Sequence, residues 1–308
     1  MTAKVHILMG TYNGAPWLAD QLESLRAQTH EDWQLTCSDD GSTDDTRAML
    51  QQAAGTFAQR IEVVSGPAAG FARNFLSMVR ALPDDGGHVA FADQDDIWFP
   101  DKLARACTAL DALPRDRPAL YGAASLIWDP VTDRRLPSLE IRRAPAFGNA
   151  LIENFATGNT MMLNPPAVKL LRGAAARIGE VFAHDWLAYA LVSGAGGQVV
   201  YDARPALLYR QHRANAIGAG ESFVKRQLRN LSVADGRYRR KVGQQIAALE
   251  ANRDMLTEAN ARMLDDFRSA RDSRPLLLRP LRIARSGVFR QSRRDAAGFY
   301  AASALGRV

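Results

Sequence analysis

Four times in about 100 residues a short apolar run gives way to a stretch with helical spacing, and this alternation limits the fold more than any other feature of the chain. Residues 4–9 (KVHILM) read as a buried strand, and residues 15–28 place Trp17, Leu18, Leu22 and Leu25 on one helical face. The strand signature returns at 33–37 (WQLTC), 61–65 and 88–92 (HVAFA), with helices expected over 46–54, over 70–82 and after Pro100. Such alternation predicts an α/β fold, a doubly wound and mostly parallel sheet flanked by helices. Sheets of this kind bind ligands at the carboxyl ends of their strands. Polar clusters fall at three of those ends, at 10–14 (GTYNG), 38–46 (SDDGSTDDT) and 93–96 (DQDD), and are expected to converge on one crevice.

The third cluster sets three carboxylates, Asp93, Asp95 and Asp96, within four residues. Neighbouring carboxylates raise one another's pKa unless a cation lies between them. Along an extended backbone Asp93 and Asp95 point to the same side, so both can face one ion. An all-oxygen set suits Mg²⁺ or Mn²⁺ rather than zinc. The competing reading is an acidic turn that caps the following helix.

Beyond residue 113 the pattern loosens. A strand is expected over 119–128, a polar loop over 134–145, a helix end and then a strand over 150–163, and an apolar helix over 187–193. Two separate extended pieces are expected over 198–201 and 206–212. The two cysteines, Cys37 and Cys107, are far apart and form no zinc or redox pattern, which suits a reducing, cytoplasmic setting. The first strand is too short for a signal-peptide core, and no run approaches the roughly 18 apolar residues needed to cross a bilayer.

Charge divides the chain. Residues 222–308 hold 19 Lys and Arg against 8 Asp and Glu, a balance of +11, while residues 1–221 carry −5. Two units are therefore expected, a main domain at 1–221 and a basic helical region at 222–308. The tail is expected to meet something anionic, a membrane surface or nucleic acid. It lacks interleaved aromatics and any nucleic-acid motif, which argues against the second. Val242, Ile246, Leu249, Leu256, Met263 and Phe267 follow a heptad seam that Arg253 and Asn260 interrupt, so packing on the body is expected rather than a long coiled coil. Residues 276–294 mix apolar side chains with arginines and are broken at Pro280 and Gly287. They read as one or two short amphipathic helices, suited to a membrane interface or simply solvated.

Taken in order, Thr11-Tyr12-Asn13-Gly14, the SDDGSTD string from Ser38, Arg73-Asn74, DQDD with Ile97-Trp98, and His184-Asp185-Trp186 make a specific set. Over roughly residues 4–217 the chain resembles glycosyltransferase family 2, the inverting nucleotide-sugar enzymes of the GT-A fold. The DQDDIW string, with Tyr209-Arg210-Gln211-His212 and Asn215, resembles the bacterial rhamnosyltransferase-type members.

The resemblance implies Asp95 as the direct ligand of Mg²⁺ or Mn²⁺, with Asp93 lying toward the ribose and the metal. Asp96 would either share in the site or only stabilise the helix that follows. His212 would reach the metal or the diphosphate, or else be structural. Thr11, Tyr12 and Asn13 would line the nucleobase pocket, with Gln94 in the donor site. Asp40 would accept the base's imide N–H while Asp39 shapes the turn, although sequence does not separate that pair. Arg73 would offset diphosphate charge, or else be a helix-surface arginine. Asp185 is implied as the general base, its alternative being a helix N-cap. Trp186 would offer a platform to an acceptor sugar, with Gly158 and Asn159 shaping the acceptor side. His184 stands where many members carry Glu, leaving the second acid's role open.

The activity so implied is transfer of L-rhamnose from dTDP-β-L-rhamnose to a glycan acceptor, in cell-surface polysaccharide of the O-antigen or capsule type. The acceptor is expected to be lipid-linked, with the basic tail touching the cytoplasmic face of the inner membrane and no nucleic-acid partner. The alternatives are a UDP-hexose or UDP-N-acetylhexosamine donor, or a catalytically silent protein that holds glycan or nucleotide.

Overall fold

A computed structural model describes residues 3–138, 140–212 and 236–308. Asn215 and the expected boundary between 221 and 222 lie outside the described residues. The chain opens with β1 (Val5–Thr11), α1 (Ala15–Arg26), β2 (Trp33–Asp39), α2 (Thr46–Thr56), β3 (Ile61–Ser65), α3 (Phe71–Ala81) and β4 (His88–Asp93). There follow β5 (Ile97–Trp98), α4 (Lys102–Asp111), β6 (Ala119–Asp129), β7 (Arg134–Pro137), α5 (Phe147–Ala150) and β8 (Met162–Leu163). Next come α6 (Pro165–Ala175), α7 (His184–Gly194) and β9 (Gln198–Arg210). The tail forms α8 (Arg237–Glu250), α9 (Glu258–Asp272), α10 (Arg279–Arg285) and α11 (Arg293–Ala304).

The strands form one sheet in the order β3-β2-β1-β4-β8-β6-β9-β5, with β7 added beside β6. Pairing is parallel from β3 through β4 and again between β6 and β9, while β8, β5 and β7 pair antiparallel with their neighbours. The first strand sits in the middle because its residues are buried on both faces. Val5, Ile7 and Met9 join the core beneath α1, α2 and α4, while Leu8 joins the opposite core with α3, α6 and α7. This period-2 split is what a strand between two helical layers requires. Chain order reverses about β1, with β2 on one side and β4 on the other, so the sheet's switch point lies at the ends of β1 and β4.

Three expectations are corrected. The stretch from 134 is not all loop, because Arg134–Pro137 pairs with the end of β6. The two extended pieces at 198–201 and 206–212 are one strand, β9, whose register against β6 shifts near Pro205. Proline lacks the N–H a regular ladder needs, and the irregularity accommodates it. The heptad seam belongs to two helices, α8 and α9, separated by a short helical turn at Arg253–Met255.

Val242, Ile246, Leu249, Leu264, Phe267 and Phe299 are buried in the same cluster as Leu187 and Leu191 of α7. The tail helices thus complete the core under one face of the sheet. Phe267→Ala is expected to destabilise the whole chain by about 3–5 kcal/mol through loss of packing and the cavity left behind. Denaturant unfolding checks this: a shared core shifts the entire transition, whereas a separate early step that moves alone would contradict it.

Candidate active site

Strand register makes the three polar clusters meet. Gly10 of β1 lies level with Ser38 of β2 on one side and Asp93 of β4 on the other. The side chains of the two loops after β1 and β2 then interlock. Thr11 Oγ1 donates to Asp39 Oδ1 at 3.1 Å, and Asp39 also accepts from Ser42 N and Ser42 Oγ. Asn13, at φ +47°, accepts from Thr43 N at 2.8 Å, and its own N–H donates to Ser42 Oγ. Gly14 N donates to Thr46 Oγ1 at 2.7 Å. Asp39 is therefore the turn-forming member of the acidic pair. Asp40 points elsewhere: its two oxygens accept from Ala68 N at 2.7 Å and Gly70 N at 3.0 Å, in the loop before α3.

Gln94 bridges the first and third clusters. Its Oε1 accepts from Tyr12 N and its Nε2 donates to Tyr12 O, both at 2.9 Å. The amide is thus committed to holding the Tyr12 backbone, with the Tyr12 ring left exposed. Arg73 lies on α3 with Nη2 3.5 Å from Gly179 O. Its neighbour Asn74 is buried and grips β2, donating to Ser38 O and accepting from Ser38 Oγ.

The carboxylates of Asp93, Asp95 and Asp96 offer oxygens within 4.8 Å of one another. Strand β5 pairs Ile97 with Leu208 and Trp98 with Leu207, drawing the acid turn against the end of β9. Arg210, the last residue of β9, donates Nε to Asp95 O at 2.9 Å and Nη2 to Asp20 at 2.7 Å. His212 follows, with Nε2 2.8 Å from Asp95 Oδ2 and its ring stacked 3.7 Å from Trp17 of α1. Asp96 is wholly buried; one oxygen accepts from Asn159 Nδ2 and the other has no partner among the described residues. Asp96 caps no helix, since the N-cap of α4 is Asp101.

Charge is unbalanced here. Burial, then Asp95, then Asp185 push the Asp93 carboxyl up to about 8, and burial with Asp93 and Asp95 pushes Asp96 well above the usual range. Lys102, the one buried lysine among the described residues, has its Nζ 2.9 Å from the Trp98 ring centroid. Burial drives its own pKa well down against the pull of Asp96 and Asp93. Mutually repelling oxygens, one of them unpartnered, fit a hard divalent cation.

Asp185 lies in the first turn of α7. Its Oδ2 accepts from Gly158 N at 2.9 Å and Asn154 Nδ2 at 3.1 Å, and its Oδ1 from Trp186 N at 2.8 Å. Burial outweighs these donors and raises its pKa to about 6. His184 stacks 3.9 Å from Phe75 and meets the edge of Phe91 at 4.6 Å, and burial drives it to about 3, a neutral ring. The turn at 157–160 joins the two sides, because Gly158 binds Asp185 while Asn159 binds Asp96.

Two expectations on the acceptor side are corrected. Trp186 is not an open platform: it is buried in the core, and its indole donates to Ala150 O at 2.7 Å. Asn159 is buried and turned to the acid cluster. Sequence reasoning missed Arg210, Lys102 and Asn154. Arg210 sat within a quoted motif, but nothing in the string says which backbone it holds. Asn154 follows Glu153, whose carboxylate is clamped by Asn149 Nδ2 at 2.9 Å, Arg290 Nη1 at 3.2 Å and Gln291 N at 2.8 Å.

Residues 6–157 match the family model for glycosyl transferase family 2. The chain is 26% identical over 241 residues to dTDP-rhamnosyl transferase RfbG of Shigella flexneri, covering 76% of this chain and 82% of that protein. In fold it resembles S. aureus TarS 1–349 in complex with UDP-GlcNAc, at TM-score 0.56 and 15% identity over 97% of this chain and 90% of that one. It likewise resembles the mannosyltransferase PcManGT from Pyrobaculum calidifontis in complex with GDP-Man and Mn²⁺, at TM-score 0.53 and 16% identity over 99% and 87%. The fold is that of GT-A type glycosyltransferases, and the family match and named relatives make the chain a glycosyltransferase. Residues 6–157 form a glycosyl transferase family 2 domain.

Gly14 shows how tightly the donor-side loops are set. A Cβ there would lie 2.1 Å from Gln94 Oε1. Gly14→Ala is expected to break both bonds to Tyr12 and destabilise the fold by about 2 kcal/mol. Adding Gln94→Ala should recover part of that loss, since the clashing amide is gone. Thermal unfolding of the two single variants and the double variant measures the coupling; strict additivity would contradict the contact.

Proposed function

We propose that this chain is an inverting transferase that moves a sugar from a nucleotide donor to a glycan acceptor in cell-surface polysaccharide synthesis, with dTDP-β-L-rhamnose as the donor. The observation that carries the reaction class is the turn at 157–160, which holds Asp185 through the Gly158 N–H and the acid cluster through Asn159, so that the lone carboxylate and the clustered ones share one site. A protein that merely held glycan would have no use for a buried, deprotonatable carboxylate facing a cation site.

In this reading Asp185 takes the proton from the acceptor hydroxyl as its oxygen bonds to the anomeric carbon. The bond from that carbon to the diphosphate oxygen breaks, and its electron pair leaves with the nucleoside diphosphate. Asp95 and Asp93, with His212 beside them, would hold Mg²⁺ or Mn²⁺, which when bound offsets the leaving diphosphate's charge. The loops of Thr11, Tyr12 and Asn13 form the base side of the donor pocket, with Asp40 and Arg73 at its edge. Asn154 and the Gly158 N–H aim Asp185.

The rhamnosyl donor is supported by the similarity to RfbG along most of both chains. A UDP-hexose or UDP-N-acetylhexosamine donor is the second reading, favoured by the UDP-GlcNAc complex of a protein with the same fold. A panel of nucleotide sugars, scored by release of the nucleoside diphosphate, decides between them: fastest turnover with a UDP-sugar would overturn rhamnose. The acceptor is placed on a lipid carrier at the cytoplasmic face of the inner membrane. Among the described residues no helix is long and apolar enough to cross a membrane.

Asp185→Asn is expected to lower kcat by about 10²–10⁴-fold while donor affinity, read by calorimetry, stays near wild type. Unchanged turnover would remove Asp185 from the reaction. Because burial raises Asp185 to about 6, the base form is lost as pH falls through that value. The pH profile of kcat should therefore drop on the acid side of about 6 and be flat above it until another group titrates.

A further inference from the structure

Of the seven large hydrophobic side chains exposed among the described residues, five lie in the tail. Leu276, Leu277 and Leu278 form a short helical turn that leads into α10, and Leu281 follows on α10 itself. Leu277 is 83% exposed and Leu281 51%. The end of the chain returns to the same spot, for a Cβ on Gly306 would lie 3.6 Å from Leu276 Cδ2. That sets Leu305, 65% exposed, beside the turn. Scattered exposed leucines need no explanation, whereas a contiguous set marks an interaction surface.

The surrounding charge identifies the partner. From residue 273 to the last residue there are eight arginines and one acidic residue, Asp295. Arg274, Arg282 and Arg285 are exposed around the leucines, with Arg293 and Arg294 exposed at the start of α11. None of these five forms an ion pair among the described residues. Ile283 and Arg279 turn inward, the Arg279 guanidinium donating to Ser273 O, so α10 is held against the body by one side and left uncovered on the other. A second copy of the chain would bring the same unpaired arginines face to face, which disfavours self-association. An apolar strip rimmed by unpaired arginines complements acyl chains beneath anionic headgroups.

We propose that the leucines of 276–281, together with Leu305, form a docking surface for an anionic phospholipid bilayer, with the flanking arginines meeting headgroup phosphates. This deepens the lipid-carrier reading above, and rests on it only for its biological purpose. The full chain is tested by co-sedimentation with vesicles of phosphatidylcholine plus phosphatidylglycerol, and with phosphatidylcholine alone. It is expected to sediment with the anionic vesicles and to be released by salt. Leu277→Ser combined with Leu281→Ser should weaken partitioning by about tenfold per leucine. Arg282→Gln with Arg285→Gln should weaken binding to the anionic vesicles selectively. Far-UV circular dichroism and turnover on a soluble acceptor should remain at wild-type values in both variants. Absence of vesicle binding, binding indifferent to the leucine changes, or a dimer that those changes convert to monomer would overturn the proposal. Because turnover is read separately, intact catalysis without vesicle binding would leave the enzymatic reading standing, and lost donor turnover with vesicle binding retained would do the reverse.

Discussion

Crowded carboxylates at the end of a buried strand are the constraint around which the rest of the structure is arranged. Asp93 and Asp96 sit where solvent is largely excluded, and the carboxylates beside them add to the cost of ionising either one. The fold answers with contacts from distant parts of the chain. Arg210 holds the Asp95 carbonyl, His212 meets its carboxylate, Asn159 binds Asp96, and Lys102 approaches from the first turn of α4. These contacts position the acids without neutralising them. Among the described residues Lys102, whose own charge is disfavoured, and Arg210, shared with Asp20, stand beside three carboxylates, an oxygen-rich set that suits a divalent ion.

The same physics gives a different outcome at Asp185. There the carboxylate stands apart from the cluster and collects three hydrogen-bond donors, two of them backbone N–H groups. Burial outweighs hydrogen bonding, leaving a group that is ionised at neutral pH yet close enough to its pKa to accept a proton. Next to it, His184 is enclosed by Phe71, Phe75 and Phe91 and stays neutral. An imidazole in that box adds no charge beside Asp185.

Much of this was legible in the sequence because it depends on local patterning. Strand periodicity placed β1, β2 and β4, and parallel register then brings Gly10, Ser38 and Asp93 level without further information. What could not be read depends on which distant backbone a side chain reaches. The choice between Asp39 and Asp40 turned on bonds to Ser42 in one case and to Ala68 and Gly70 in the other. The pairing of β5 with β9 joins residues more than 100 positions apart, and Pro205 hid the continuity of β9. Trp186 carries the composition of a sugar platform, but its indole N–H was already taken by Ala150 O, and burial rather than identity decided its part.

The clamp on Glu153 has a consequence for how such chains diversify. Arg290 and Gln291, near the far end of the sequence, grip the residue that precedes Asn154, and Asn154 in turn holds Asp185. Exchanging the last helices with those of a relative would therefore disturb the aim of a carboxylate some 100 residues upstream in the chain. Chimeras joined in that region inherit a mismatched hinge unless the 149–154 segment travels with the helices that brace it.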